Sequence, residues 1–187
     1  MGKRILLFCV VFLSCFVTPA LAYNYPNGTE AKPGDILVTS DTSSSGILGH
    51  AGIVVDKNRY LETKGPGYFP KIYNLKSWFS DRSTTKVVRI GNVKAARDAA
   101  SFAKTWDGAK VPYKITNNLL DNHYTYCSKL VWQIYALHTQ GIFPVEAAME
   151  GKLTIWPPYN FLNSRVYLSS AKPKLVYKKG LIGKGDL

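Results

Sequence analysis

Short apolar runs rich in β-branched and aromatic residues alternate with polar turns along much of the chain, as in half-buried strands. These strand-like runs lie at 35–39, 51–55, 59–63, 86–90, 165–168 and 174–177. The polar turn Asp56-Lys57-Asn58 separates the second run from the third, so this pair predicts a β-hairpin. A longer polar loop, Ser40 to Gly49, follows the first run.

Two segments show helical periodicity instead. Apolar residues repeat at helical spacing from Val93 to Trp106, and Asn92 is a suitable N-cap. A second helix is expected from Cys127 to Gln140, where Gly141 supplies the stop. Strands and helices in this order predict an α+β fold, with a mainly antiparallel sheet packed against helices.

The N-terminal pattern is that of an export signal. Two basic residues precede the apolar run Ile5 to Val17, and small residues suited to cleavage end at Ala22. The run is shorter than the roughly 20 residues that a membrane-spanning helix needs. We therefore expect a signal peptide over residues 1–22, a single domain over 23–187, and a bacterial protein that is secreted or associated with the cell wall.

Cysteine usage singles out one thiol. Loss of the signal would remove Cys9 and Cys15 and leave Cys127 alone in the mature chain. An exported protein that keeps one unpaired thiol exposes it to oxidation, so the thiol is buried, paired between molecules or used chemically. Cys127 also stands at the predicted start of a helix, where free N–H groups and the helix dipole favour a thiolate. This position makes it a candidate nucleophile.

A nucleophilic thiol needs an imidazole nearby, and the chain has three histidines. His50 stands between a flexible polar loop and a buried strand, where it could face a cleft. His123 precedes Cys127 in a polar loop and could reach the thiol locally. His138 lies in the last turn of the second helix, where a contact with the helix dipole accounts for it. Position alone leaves the partner of Cys127 open.

The charge balance is strongly basic. With 24 basic and 12 acidic residues, the chain carries a net charge of +12, and loss of Lys3 and Arg4 with the signal would lower it by two, to +10. Such a charge favours anionic partners, which outside a bacterial cell are wall polymers, acidic glycopeptides or lipid surfaces, and it equally suits a surface kept soluble by charge. Because the basic residues are scattered, we do not expect a nucleic-acid partner. The oligomeric state stays open.

Five short motifs follow one another along the chain. They are Gly34-Asp35-Ile36, Gly49-His50-Ala51-Gly52-Ile53-Val54, Tyr60-Leu61-Glu62, Val111-Pro112-Tyr113 and Tyr126-Cys127-Ser128-Lys129-Leu130-Val131-Trp132. This ordered set resembles the YiiX-like group of permuted papain-like enzymes, relatives of the NlpC-type cell-wall peptidases and of the lecithin:retinol acyltransferase family. The likeness covers about Gly34 to Tyr135 and implies a circularly permuted papain-like (NlpC-type) fold.

The resemblance also implies a site. It assigns Cys127 as nucleophile, His50 as base and Glu62 as the carboxylate that orients the imidazole. The geometry of the hairpin bears on Glu62. If the turn occupies 57–59, Glu62 pairs with Val54 and lies about 13 Å along the ladder from His50, whereas a two-residue turn puts it on the other face of the sheet.

An oxyanion site needs hydrogen-bond donors beside the thiol. The backbone N–H of Cys127, at the start of the helix, is the natural first donor. Tyr126 and Tyr113 are candidate groups for lining the oxyanion or substrate site. Both assignments are expectations that depend on how the chain approaches the helix.

The leading functional hypothesis is a cysteine peptidase or amidase that cleaves cell-wall peptides, with peptidoglycan or another anionic surface molecule as substrate and without a cofactor or metal. Using the same site, the chain could instead be a lipid, acyl-ester or acyl-amide hydrolase, or an acyltransferase. A second class is a non-catalytic, cationic wall-binding module. A third is a zinc site formed by Cys127, His50 and Glu62, although the sequence has no short paired-ligand motif.

Overall fold

A computed structural model describes residues 22–41, 49–180 and 185–187, and the structural statements below concern these residues. The expected signal peptide lies outside them except for Ala22, and so does most of the loop from Ser40 to Gly49. Within the described part, no helix has the length and apolar character needed to cross a membrane. The domain boundary expected at residue 23 stays a prediction.

In the described ranges, six strands form one sheet in which every neighbouring pair is antiparallel. In chain order they are β1 (Ile36–Thr39), β2 (His50–Val54), β3 (Arg59–Glu62), β4 (Lys71–Asn74), β5 (Thr85–Ile90) and β6 (Pro173–Lys179). Their order across the sheet is β4-β3-β2-β1-β5-β6, so that β4 and β6 are the edge strands. β2, which carries His50, is therefore an interior strand with partners on both sides.

The part of the chain that the structure describes also contains four α-helices: α1 (Leu75–Asp81), α2 (Val93–Ala103), α3 (Cys127–His138) and α4 (Glu146–Met149). α2 and α3 pack against each other and α3 packs against β2. The buried stripe of α2 consists of alanines, whose small side chains allow close approach to the sheet. The α+β prediction is thus confirmed, whereas the permuted papain-like order stays a prediction.

The two faces of the sheet pack separately. Alternate residues of β2, such as Ile53, face the large core that contains α2 and α3. Val54 and Tyr60 face a smaller cluster built around Trp78 of α1. His50 is the first residue of β2, at the end of the sheet where these two packed layers can both reach it.

One expected strand is wrong. The run 165–168 overlaps a 3-10 turn, Ser164–Val166, instead of pairing with the sheet. Tyr167 in this segment donates its hydroxyl proton to the carbonyl oxygen of Phe161 at 2.8 Å and packs its ring against Phe143. The segment therefore fills the helical side of the core. The sequence analysis also missed β4, α1 and the short helix α4.

The hairpin of β2 and β3 has a register that differs from both expected alternatives. Val54 pairs with Tyr60, and the N–H of Val55 donates to the carbonyl oxygen of Arg59 at 2.9 Å, so the turn occupies 56–58. Continuing the ladder by one residue sets Glu62 opposite Gly52 instead of Val54. The offset between Glu62 and His50 is therefore two residues instead of four, and both side chains lie on the same face of the sheet.

Candidate active site

The thiol of Cys127 lies at the first residue of α3. Tyr126 precedes it with an extended backbone and makes no side-chain capping hydrogen bond within the described part of the chain. The first-turn N–H groups and the positive end of the helix dipole therefore point toward the thiol region. Cys127 is 1% exposed and is a free cysteine.

The pKa of the Cys127 thiol reflects two opposed effects. Burial raises it, but the charge of His50, a hydrogen bond with His50 and the backbone N–H of Ala51 all lower it, and the lowering prevails. The sulfur also lies 4.0 Å from the hydroxyl oxygen of Ser128, which donates to the carbonyl oxygen of Trp156 at 2.6 Å. The N–H groups of His50 and Ala51, together with the start of α3, therefore favour a sulfur that is held as a thiolate.

His50 is buried and connects the thiol with a carboxylate. Burial lowers its pKa, but the contacts with Cys127 and then with Glu62 raise it, to about 9. Its Nε2 lies 2.8 Å from Oε2 of Glu62, so this nitrogen donates to the carboxylate and Nδ1 is the ring atom left for the sulfur. Gly49, with a φ of 86°, sets the chain direction immediately before the ring.

Glu62 is fully buried and has three partners. Besides His50, the guanidinium of Arg82 donates to the same Oε2 at 2.6 Å, and the hydroxyl of Tyr60 donates to Oε1 at 3.1 Å. Burial raises the pKa of Glu62, but His50, Arg82 and Tyr60 together lower it. The carboxylate is therefore held ionised beside the imidazole even though water does not reach it.

Trp78 of α1 completes the support of the imidazole. Its ring stacks on His50 at 5.9 Å between centroids with an interplanar angle of 26°, and the guanidinium carbon of Arg82 lies 3.8 Å from its ring centroid. Its indole N–H donates to the hydroxyl of Thr85 at 3.1 Å. A Cβ at Gly52 would lie 3.1 Å from the indole, so glycine leaves the room that this ring uses.

The structure brings Cys127, His50 and Glu62 into one cluster. Tyr126 and Tyr113, the other two predicted site residues, make other contacts. The hydroxyl of Tyr126 accepts a hydrogen bond from the backbone N–H of Trp156 at 2.9 Å. Burial raises the pKa of Tyr126 to about 12 although that hydrogen bond lowers it. Tyr113 is half-buried and forms an isolated parallel bridge with Thr125, two residues before the thiol. Their oxyanion and substrate roles stay predictions.

The other histidines lie elsewhere. His123 has a side chain that is 85% exposed, and its Nδ1 lies 2.8 Å from a carboxylate oxygen of Asp121. His138 is in the last turn of α3, about 16 Å along the helix from Cys127 at the standard rise. Of the three histidines, all within the described residues, only His50 contacts the thiol.

Arg82, Trp78 and Tyr60 are site residues that the sequence analysis did not assign. Arg82 lies just after α1, and no local spacing marks a lone arginine as the partner of a carboxylate on another strand. The only sign in the sequence was Glu62 itself, because an acidic residue predicted inside a buried strand needs a cationic partner.

The arrangement does not fit a metal centre. Among the residues that the structure describes, no group of three histidine, cysteine, aspartate or glutamate side chains could hold a metal ion. The imidazole of His50 stands between the sulfur and the carboxylate and uses one ring nitrogen for each, so the three side chains do not converge on one point.

Comparisons with known proteins identify a family, a relative and a solved structure of similar fold. The sequence model of the family described as lipoprotein N-acylation protein LnsA-like matches residues 3–166. A relative from Bacillus thuringiensis, described as an uncharacterized 30.3 kDa protein, is 32% identical over 162 residues, which cover 80% of this chain and 58% of the relative. The matched region thus spans little more than half the length of that relative.

A solved structure shares the fold. The crystal structure of the metalloprotein yiiX from Escherichia coli O157:H7 superposes with a TM-score of 0.51 and 19% identity, covering 80% of this chain and 98% of that chain. At this identity the likeness concerns the fold. The prediction of a YiiX-like protein, made from the ordered motifs, is confirmed.

Proposed function

This chain belongs to the LnsA-like family of lipoprotein N-acylation proteins, and from that premise we propose that it is an acyl-transfer enzyme in which Cys127 carries the acyl group as a thioester. The observation that carries the proposal is the buried series of contacts from Cys127 through His50 to Glu62. The lowered pKa of the thiol and the raised pKa of the imidazole suit a thiolate nucleophile beside an imidazolium. The family indicates acyl-related or hydrolase-type chemistry, and both use such a nucleophile.

In the first step the thiolate of Cys127 attacks the carbonyl carbon of an acyl ester. The oxyanion that forms would be stabilised by the backbone N–H groups at the start of α3. When the tetrahedral intermediate collapses, the ester C–O bond breaks, and His50 gives its proton to the departing alkoxide. The products of this step are an acyl-thioester on Cys127 and an alcohol.

In the second step an amine attacks the thioester. His50, now neutral, takes a proton from the attacking nitrogen, the C–S bond breaks, and the thiolate returns. The product is an amide. Glu62 stabilises the imidazolium at both stages and keeps Nε2 as the protonated nitrogen of the neutral ring, so that Nδ1 always faces the reacting atoms.

We propose an acyl lipid as donor and the amino terminus of a lipoprotein as acceptor, because the family is described by that N-acylation. The burial of Cys127 and His50 supports transfer to an amine, since a site that restricts water slows hydrolysis of the thioester. Cleavage of cell-wall peptides would instead form a thioester with the carbonyl group of the scissile amide, release an amine and use water as acceptor, and it stays a prediction. Export by the N-terminal segment is part of the proposal.

The decisive experiment follows the acyl group. The protein is incubated with a phospholipid that carries a labelled acyl chain, first alone and then with a peptide that has a free amino terminus. Intact mass spectrometry should show one acyl group on Cys127, removable by hydroxylamine as a thioester, and the label should then move to the peptide as a hydroxylamine-resistant amide.

Matched variants separate the roles. Cys127→Ser should show no thioester, and His50→Ala should slow acylation by about 100-fold or more. His123→Ala removes an exposed imidazole and should leave both steps unchanged. Release of free fatty acid without amide would identify a hydrolase. Release of stem peptides from cell walls, with no acylation by lipid, would contradict the acyl-transfer proposal and favour the peptidase.

A further inference from the structure

The loop between β3 and β4 exposes two large aromatic side chains. Tyr68 is 53% exposed and Phe69 is 39% exposed, whereas most other aromatic side chains of the described chain are buried or half-buried. The loop begins immediately after Glu62, and Glu62 pairs directly with Lys71 at its far end. It therefore lies at the end of the sheet that carries the candidate active site.

A tight turn holds these aromatic side chains. The N–H of Tyr68 donates to the carbonyl oxygen of Gly65 at 3.0 Å, Pro66 occupies the second position, and Gly67 has a φ of 86°. Proline followed by a glycine with positive φ is the signature of a type II turn. The aromatic pair is thus presented by a constrained loop, which lowers the entropic cost of contact with a partner.

One lysine lies against Phe69, and two more lie against the neighbouring Tyr73 of β4. The ammonium nitrogen of Lys110 lies 4.9 Å from the ring centroid of Phe69, and Lys71 and Lys64 lie 5.9 Å and 4.4 Å from that of Tyr73. The nearby carboxylate of Asp107 accepts the backbone N–H of Ile72 at 2.9 Å. The surface therefore combines exposed aromatic rings with an excess of positive charge.

We infer that this aromatic-cationic loop, residues 64–71 together with Lys110, docks the protein on an anionic lipid bilayer. Tyr68 and Phe69 would enter the interfacial layer, as aromatic side chains do at membrane surfaces, while the lysines contact anionic headgroups. A soluble polyanion would need only the charge, which this protein carries over much of its surface. The exposed aromatic pair is what favours a bilayer.

The inference rests on the proposed function for its purpose, because docking here brings the active-site end of the sheet to the source of an acyl lipid. It does not depend on the chemistry of Cys127. A Cys127→Ala variant should bind vesicles as the wild type does. Vesicle binding without thioester formation would therefore support the docking surface and reject the acyl-transfer proposal. Thioester formation without vesicle binding would support acyl transfer and reject the docking surface.

The test is co-sedimentation of the protein with vesicles of phosphatidylcholine, with and without phosphatidylglycerol. The wild type should bind the anionic vesicles more strongly. Tyr68→Ser/Phe69→Ser should weaken this binding by about tenfold or more. Lys71→Gln/Lys110→Gln should weaken it by about 25-fold, since each lysine near an anionic surface contributes about fivefold.

The controls change the same chemistry at other places. Lys174→Gln/Lys178→Gln removes two exposed lysines from β6, the opposite edge of the sheet, and Met149→Ser removes an exposed apolar side chain. Both should bind nearly as the wild type does. Equal losses in the loop and control lysine variants would overturn the inference. So would unchanged binding by Tyr68→Ser/Phe69→Ser, or loop-dependent binding to soluble teichoic acid but not to vesicles.

Discussion

His50 and Glu62 lie on neighbouring strands, two residues out of direct register, and a hydrogen bond of 2.8 Å joins Nε2 of the ring to the carboxylate. This bond decides which ring nitrogen remains for the thiol. Because both residues belong to backbone-paired strands of the sheet, their geometry is maintained by the ladder itself. A rigid support of this kind favours a preorganised site.

The first prediction concerns the reactivity of Cys127. Its lowered pKa means that iodoacetamide should label the thiol at pH values where an ordinary cysteine is protonated. His50→Ala removes the positive charge that lowers the thiol pKa. The midpoint of labelling should therefore move to higher pH, because the effect of burial, which raises the thiol pKa, is then less opposed. The measurement is the labelling rate against pH by mass spectrometry, with His123→Ala as control. An unchanged midpoint in His50→Ala would refute the ion pair between the Cys127 thiolate and the His50 imidazolium.

The second prediction concerns the high-pH limit of activity. In the proposed mechanism the reactive state pairs a thiolate with a protonated His50, whose pKa is raised to about 9, so activity should fall as pH rises through that value. Glu62→Gln removes one of the groups that raise this pKa. The descending limb should then move to lower pH, with a rate loss of about 100-fold or more.

The matched control for this pH profile is Asp56→Asn, which changes a carboxylate in the hairpin turn that contacts Arg59 and not His50. Its descending limb should stay near that of the wild type. If Glu62→Gln and Asp56→Asn give the same profile, Glu62 does not act on the imidazole.

The third prediction compares two arginines. Arg82→Met removes one of the two cationic groups that contact the buried carboxylate of Glu62, the other being His50, and should lower the free energy of unfolding by about 3 kcal/mol. Arg59→Met breaks an exposed ion pair with Asp56 and should cost less than about 1 kcal/mol. Urea denaturation measures both. Comparable losses would mean that Arg82 contributes no more than a surface charge.

The ion pair of Glu62 also gives a sign for the pH dependence of stability. Because the pKa of Glu62 is lowered in the folded protein, its contribution is present above the pKa of the unfolded chain and is lost as pH falls through the folded value. Arg82→Met should therefore reduce the acid sensitivity of unfolding. A variant with unchanged acid sensitivity would count against this linkage.

The fourth prediction concerns Gly34, which has a φ of 88° at the entry to β1. A Cβ there would lie 2.5 Å from the carbonyl oxygen of Ala96 in α2, a backbone atom that cannot rotate away. Gly34→Ala should destabilise the protein by about 3 kcal/mol or more. Gly28→Ala has a similar φ with open space around it, so it should cost only about 1 kcal/mol. Equal melting temperatures would exclude the contact with α2 as the cause.

Several features followed from the sequence because their causes are local. Apolar periodicity marked β1, β2, β3, β5, β6 and the starts of α2 and α3, and the polar residues 56–58 form the observed turn. The start of α3 at Cys127 was also local, since the pattern changes there from polar to helical. The strand expected at 165–168 was wrong because Tyr167 and Val166 pack into a core that only the folded chain creates.

The amino-acid pattern was enough to predict the α+β architecture, the helix that begins at Cys127 and, through resemblance, a family of sites with a histidine ahead of a cysteine. The contacts that hold the site appeared only in the folded chain: the register that sets Glu62 near His50, the guanidinium of Arg82 on that carboxylate, and the indole of Trp78 against the ring. These contacts join residues far apart in the chain. No local pattern encodes them, because they depend on how strands align and layers pack after the chain has closed its long loops.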